Sequence, residues 1–134
     1  MAAKRLMPGI VLAIIAIIIA YGFFYDNSEI INIDAYKAAE MINSGNPPLV
    51  VDVRTREEFN GELGHISGAR LIPQNTIHDS LNVLTNYADN GILFVCRTGR
   101  RSKIAGNDLA NAGFKNIYNL EGGMKEWNSK LELK

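Results

Sequence analysis

The chain has 134 residues, which is enough for one small domain and a short appendage. A hydrophobic content of 47% with 21% charged residues is typical of a globular protein and excludes an intrinsically disordered one. The formal net charge of zero argues against a broad nucleic-acid-binding surface, so we expect no nucleic-acid partner.

An uncharged, strongly apolar segment occupies residues 6–25, and Lys4 and Arg5 are the only charged residues before it. As an α-helix this segment would be about 30 Å long, which matches the hydrocarbon layer of a bilayer. We therefore predict a single-pass transmembrane anchor within residues 1–27. Its N-terminus would be cytoplasmic, and residues 28–134 would form a domain on the outer side of the cell membrane. The alternative is a cleaved signal sequence, which would leave a secreted domain.

The remainder of the chain alternates short apolar runs with amphipathic segments, which predicts alternating strands and helices. The predicted strands cover residues 49–53, 69–72, 92–95 and 117–120. The predicted helices cover residues 34–43, 77–87, 102–112 and 124–130, with a further short helix opening at residues 55–58. This alternation predicts an α/β fold with a mainly parallel sheet and helices on both faces. In such sheets ligands bind beyond the carboxyl ends of the strands.

Local polar residues mark the ends of three of these helices. Asp34 is suited to be the N-cap of the first, and Thr55 with Glu58 has the spacing of a capping box. Gly113 is suited to the left-handed residue that follows a helix C-terminus.

The single cysteine, Cys96, directly follows the predicted strand at residues 92–95. A lone cysteine excludes an intramolecular disulfide and a cysteine-rich zinc site, and His65 and His78 lack a common metal-ligand spacing. We therefore expect neither a metal nor another cofactor. Free cysteine is most often buried as a small hydrophobic residue. Its place here, between a strand and a helix and among arginines, favours a reactive thiolate instead.

The segment CRTGRRS at residues 96–102, which we call the active-site loop, carries the predicted chemistry. Its successive N–H groups can form an anion-binding nest, and the following helix adds its positive end. Arginines on both sides of Gly99 add positive charge, and the glycine permits a tight turn. Together these features lower the pKa of a thiol and attract a small dianion. The predicted site comprises Cys96 as the catalytic nucleophile and the binding residues Arg97, Thr98, Gly99, Arg100, Arg101 and Ser102.

Residues 49–127 resemble a rhodanese homology domain. The matching motifs are VDVR at 51–54, EEF at 57–59, GHISGA at 64–69, the active-site loop, AGF at 112–114, and LEGGM at 120–124 with Trp127. The resemblance implies a rhodanese-like fold with a five-stranded parallel sheet. It also implies a single-domain sulfurtransferase that moves sulfane sulfur from thiosulfate or a similar anionic donor to a thiol or cyanide. The sulfur would be carried as a Cys96 persulfide.

The resemblance also assigns roles to individual residues. It places Arg101 in the wall of the loop. Arg97 and Arg100, as cations of the same loop, are candidates for attracting the anionic donor. Asp52 and Arg54 match the Asp-x-Arg motif of the family, as supporting residues. Either Arg54 reaches the active-site loop or the two residues form a structural ion pair.

The length of the loop distinguishes sulfur transfer from phosphate and arsenate chemistry. In the rhodanese family the part of the loop that runs from the catalytic cysteine to the closing arginine has six residues, here 96–101, and Ser102 follows it. Related phosphatases and arsenate reductases have one more, with arginine at the position of Ser102. Three alternatives stay open: a non-catalytic module that binds a partner or senses redox state, a phosphatase or arsenate reductase, and a persulfide carrier that delivers sulfur to a protein. We interpret His65 as a turn or packing residue rather than a base, since a thiolate needs no general base.

Overall fold

The computed structural model describes residues 8–24 and 29–131. The strands in these ranges are β1 (Ile31–Ile33), β2 (Leu49–Asp52), β3 (Arg70–Leu71), β4 (Ile92–Val95) and β5 (Ile117–Leu120). The helices are α1 (Pro8–Phe24), α2 (Ala35–Ile42), α3 (Arg56–Phe59), α4 (Leu81–Thr85), α5 (Arg100–Asn111) and α6 (Gly123–Leu131). Two 3-10 turns, Gln74–Thr76 and His78–Ser80, precede α4.

The five strands form one parallel sheet in the order β1-β5-β4-β2-β3. The central strand β4 pairs with β2 on one side and with β5 on the other. The predicted α/β fold with a five-stranded parallel sheet is confirmed. Because all strands are parallel, their carboxyl ends meet at one edge, and the residue after β4 is Cys96.

Each face of the sheet is covered by its own hydrophobic core, because successive side chains of a strand point to opposite faces. On β4, Ile92 and Phe94 face one core, while Leu93 and Val95 face the other. The first core also contains Leu84 of α4 and Ala105 and Leu109 of α5. The second also contains Ala35 and Ala38 of α2 and Met124 of α6. Helices therefore cover both faces, as the sequence predicts.

The N-terminal helix α1 has 17 residues, fewer than the about 20 that usually span a bilayer. Within residues 8–24 and 29–131, no helix combines the length and the apolar content that crossing a membrane requires. The transmembrane anchor predicted over residues 6–25 is therefore not supported. Residues 6, 7 and 25 of that predicted span lie outside the described part of the chain.

The predicted helix ends agree with the structure. Asp34 Oδ1 accepts a hydrogen bond of 2.8 Å from the Lys37 N–H, and Thr55 and Glu58 form a reciprocal capping box. Gly113 follows α5 with a φ of 92°, in the left-handed region that glycine adopts easily.

Two elements differ from the sequence-based prediction in more than the positions of their ends. The sequence does not indicate β1, because three residues directly before a helix cap are too few to show a strand periodicity. The helix predicted over residues 77–87 is confined to α4, preceded by the two 3-10 turns. The hydroxyls of Ser80 and Thr85 donate to the carbonyl oxygens of Thr76 and Leu81, and such local bonds weaken a regular helix.

Candidate active site

Cys96 lies at the carboxyl edge of the sheet and is 1% exposed. Its Sγ accepts a hydrogen bond of 3.1 Å from the Gly99 N–H and lies 3.2 Å from Ser102 Oγ. Gly99 has a φ of 89°, so the loop can turn here without the steric cost of a side chain. The sulfur is therefore buried but faces polar groups of the loop.

The environment of Cys96 has opposing effects on its acidity. Burial raises the pKa of the thiol, because the thiolate loses its hydration. Hydrogen bonds that the thiolate would receive from the Ser102 hydroxyl and from the N–H groups of Ser102, Thr98 and Gly99 lower it. The hydrogen bonds outweigh burial, and the pKa of Cys96 lies below its ordinary value. A lowered pKa favours the thiolate, which is the nucleophilic form of cysteine.

The start of α6 supports the active-site loop from behind. The Met124 N–H donates to the Cys96 carbonyl oxygen at 2.9 Å, and the Lys125 N–H donates to the Arg97 carbonyl oxygen at 3.1 Å. A Cβ atom at Gly123 would overlap the Cys96 carbonyl oxygen and lie 2.6 Å from the Thr98 nitrogen. The sequence indicates only a turn at the glycine pair before α6, whereas the structure gives the second glycine a role in shaping the loop.

The guanidinium group of Arg101 binds Glu58 rather than Cys96. Two hydrogen bonds of 2.8 and 2.6 Å join the two side chains. These bonds are the main reason that the pKa of Glu58 is lowered to about 2. The Glu58 carboxylate also accepts from the Thr55 N–H, so one side chain caps α3 and holds the last arginine of the loop. The sequence identifies Glu58 through the capping box. Its second role, the contact with Arg101, is visible only in the folded structure.

The remaining polar side chains of the loop divide into two groups. Arg97, Thr98 and Arg100 are exposed around the mouth of the loop, while Ser102 is fully buried. Helix α5 begins two residues earlier than predicted, at Arg100. Two clefts of about 270 and 370 Å³ flank the Arg101–Glu58 pair, and Arg97 lines the smaller one.

The predicted supporting residues Asp52, at the end of β2, and Arg54 form a structural ion pair. Arg54 Nη2 lies 2.7 Å from Asp52 Oδ2, and both side chains are buried. The same nitrogen donates to the Gly64 carbonyl oxygen at 2.7 Å, which ties the segment after α3 to the sheet. His65 stacks on Phe59 with ring centres 3.7 Å apart, and this position agrees with its interpretation as a packing residue.

Two asparagines that the sequence analysis did not single out extend the site across the sheet. Asn119 of β5 is 3% exposed, and its Oδ1 lies 2.6 Å from Ser102 Oγ. Its Nδ2 donates to Oδ1 of Asn32, an exposed residue of β1, at 2.9 Å. Asn119 is a polar residue inside the apolar run at 117–120 of the sequence. This position was the available signal of a buried hydrogen-bond network, since a buried amide requires partners.

These features define an α/β protein that carries a buried cysteine at the head of a loop whose N–H groups point toward the sulfur. The sequence model of the rhodanese-like domain family matches residues 34–130. The chain therefore belongs to the rhodanese-like domain family, as its motifs indicate.

Relatives of the chain include proteins named for sulfur chemistry. The thiosulfate sulfurtransferase GlpE of Ectopseudomonas mendocina is 34% identical, over 75% of this chain and 86% of that protein. The putative sulfur carrier protein YrkF of Bacillus subtilis is 32% identical over 76% of this chain, but the match spans only 52% of YrkF. The crystal structure of a rhodanese-like domain protein from Staphylococcus aureus has a TM-score of 0.65 and 34% identity, covering 73% of this chain and 91% of that one.

Proposed function

We propose that this protein is a sulfurtransferase that takes sulfane sulfur from thiosulfate or a similar small anion and passes it to a thiol or to cyanide. One observation carries the proposal. Cys96 Sγ lies at the head of a six-residue loop, where the Gly99 N–H and the Ser102 hydroxyl can stabilise negative charge on sulfur. The name of the GlpE relative supports the same reaction class.

In the first step the Cys96 thiolate attacks the outer sulfur of the donor. For thiosulfate, a new bond forms between Sγ and that sulfur, the S–S bond of thiosulfate breaks, and sulfite leaves with the electron pair. The persulfide that remains carries one negative charge. Loop N–H groups and the Ser102 hydroxyl would stabilise it, while the exposed Arg97 and Arg100 attract the anionic donor.

In the second step the acceptor attacks the outer sulfur of the persulfide. A thiolate acceptor leaves as a persulfide and cyanide leaves as thiocyanate, and either reaction returns Cys96 to its thiolate form. No general base is required, because both nucleophiles react as anions.

Mass measurement of the full-length chain after incubation with thiosulfate tests this proposal. We expect the mass of one added sulfur atom on the wild-type protein and none on the Cys96→Ser variant. Since Cys96 is the only cysteine, any added sulfur reports on this site alone. If no sulfane donor loads the protein, the sulfurtransferase proposal fails, and the non-catalytic alternative is favoured.

A persulfide carrier is the second candidate, because the relative YrkF is named a putative sulfur carrier. A carrier would load rapidly but return sulfur to small thiols slowly, and it would need a protein acceptor. Comparing the rate of loading with the rate of cyanide-dependent turnover distinguishes the two. Turnover as fast as loading favours the enzyme, whereas a persulfide that persists until a protein acceptor is added favours the carrier.

Phosphatase or arsenate reductase activity is tested separately. The six-residue loop, with Ser102 in place of a seventh-position arginine, argues against a phosphate-sized site. Release of phosphate from an aryl phosphate by the wild-type chain, with no release by Cys96→Ser, would favour that activity over sulfur transfer.

A further inference from the structure

The hydroxyl of Ser102 has two acceptors but only one hydrogen. Its oxygen lies 3.2 Å from Cys96 Sγ and 2.6 Å from Asn119 Oδ1. An amide oxygen can only accept, so an approach of 2.6 Å places the Ser102 hydrogen between these two oxygens. Ser102 can then only accept from Cys96, which requires a protonated thiol.

A thiolate needs the opposite arrangement. Ser102 must then give its hydrogen to sulfur, and Asn119 Oδ1 would lose its donor in a buried place, which is costly. If the Asn119 amide turns over, its Nδ2 donates to Ser102 Oγ and every polar atom keeps a partner. Asn32, which now accepts from Asn119 Nδ2, would have to turn as well. Asn32 is exposed, so water can replace its hydrogen bonds during the turn.

We propose that Asn119 and Asn32 are positioning residues that form a two-position hydrogen-bond switch coupled through Ser102 to the charge on Cys96 sulfur. In one position the amide oxygen of Asn119 faces Ser102, and Cys96 is a thiol. In the other the amide nitrogen faces Ser102, and the sulfur is a thiolate or persulfide. The switch reorients hydrogen bonds but carries no proton; the thiol proton leaves to solvent at the loop.

Arg101 acts on Cys96 through its charge and not through a hydrogen bond, so it does not take part in the switch. Arg101 on α5 is paired with Glu58 of α3, and at the end of β2 Arg54 is paired with Asp52 and also donates to the Gly64 carbonyl oxygen. Arg97 and Arg100 lie exposed at the mouth of the loop, and the start of α6 offers main-chain N–H groups. Strands β1 and β5 carry no Asp, Glu, Lys, Arg or His. The hydrogen-bonding side chains that these strands add to the switch are therefore the amides of Asn32 and Asn119.

Titration of Cys96 in the full-length chain tests the switch. The ultraviolet absorbance of the thiolate is measured against pH in the wild-type protein and in the Asn32→Asp, Asn32→Ala and Ser102→Ala variants. The absorbance of the Cys96→Ser variant is subtracted as the background. The ionised carboxylate that Asn32→Asp introduces can only accept, so it holds Asn119 Nδ2 outward and Oδ1 toward Ser102. We expect Asn32→Asp to raise the pKa of Cys96 by about 0.5 to 1, a roughly three- to tenfold loss of thiolate below the pKa. Asn32→Ala, which lacks that acceptor, should not raise it.

Two controls separate the switch from a simple charge effect. In about 1 M KCl the field of an exposed carboxylate is largely screened, while a hydrogen-bond effect persists. In a Ser102→Ala background, Asn32→Asp should leave the pKa of Cys96 unchanged. An equal rise in that background, a rise abolished by salt, or no rise at all would overturn the proposal. The persulfide part of the proposal rests on the proposed function, but the titration uses no sulfur donor, so its outcome is independent of sulfur loading.

Discussion

At the scale of single residues, Glu58 connects two parts of the fold that are distant in sequence. Its carboxylate accepts from the Thr55 N–H at the start of α3 and from both terminal nitrogens of Arg101 on α5. The pair is partly exposed, with 36% of the Arg101 side chain and 27% of the Glu58 side chain accessible. Solvent screening therefore limits its contribution to stability to about 1 kcal/mol.

The lowered pKa of Glu58 predicts a pH dependence of stability. A carboxyl group with a pKa of about 2 in the folded chain and 4.5 otherwise stabilises the fold above pH 4.5, and this stability is lost as the pH falls toward 2. We expect Glu58→Gln to lower the free energy of unfolding by about 1 kcal/mol at pH 7. The loss should shrink as the pH falls below 4.5, and urea unfolding at pH 7, 4 and 3 measures both effects.

Glu40→Gln is the matched control for this prediction. It removes the same charge from an exposed pair with Lys37, in which 71% of the Glu40 side chain is accessible. We expect a smaller loss of stability and a weaker change with pH. Equal effects of the two substitutions would show that the contact with Arg101 adds nothing beyond the charge itself.

At the scale of elements, the position of Cys96 depends on three elements that meet at the carboxyl edge of the sheet. Strand β4 delivers the cysteine, α5 begins at Arg100 directly after the loop glycine, and α6 binds the Cys96 and Arg97 carbonyls from behind. Gly123 allows the close approach of α6, because its backbone has a φ of 58° and no Cβ atom. The start of α6 is therefore a structural part of the site.

Gly123→Ala should damage both stability and activity. The new Cβ would meet main-chain atoms of Cys96 and Thr98, which cannot move aside cheaply, and the residue would keep an unfavourable left-handed conformation. We expect a loss of about 2–3 kcal/mol in unfolding free energy and a slowing of sulfur loading of about tenfold or more, because the loop is displaced. Urea unfolding and mass measurement after timed exposure to thiosulfate give the two values.

Gly113→Ala provides the comparison. Its φ of 92° imposes a similar conformational cost, but no heavy atom lies within 4 Å of the added Cβ, and the residue follows the far end of α5. We expect a loss of about 1 kcal/mol with unchanged sulfur loading. If Gly123→Ala also leaves loading unchanged, α6 does not shape the loop.

The same elements show what the sequence could and could not predict. The apolar runs of β4 and β5 are unambiguous, and the caps at Asp34 and Thr55 depend only on neighbouring residues. The active-site loop is also local, so its residues could be predicted together. The contacts of the loop with Glu58 and Asn119 could not be predicted. The capping box and the polar position inside an apolar run mark these two residues, but only the folded chain brings them to the loop.

At the scale of the whole molecule, the two cores share one sheet and cannot be separated without breaking it. Phe94 and Leu93 are adjacent in β4, both fully buried, and belong to opposite cores. A cavity in one core therefore destabilises β4, which also forms part of the other core. Trp127, the only tryptophan, packs against the core that contains Leu93 and so reports on that side alone.

Phe94→Ala should accordingly destabilise both sides equally, although the substitution lies in the core that Trp127 does not contact. We expect a loss of about 3–5 kcal/mol, from the lost burial of the ring and the cavity left behind. The midpoints of urea unfolding measured by Trp127 fluorescence and by far-ultraviolet circular dichroism should fall together, as in a cooperative transition. Val83→Ala, at a side chain 45% exposed on α4, should change both midpoints little. A Trp127 midpoint that stays at the wild-type value while the circular dichroism midpoint falls would mean that the two faces unfold separately.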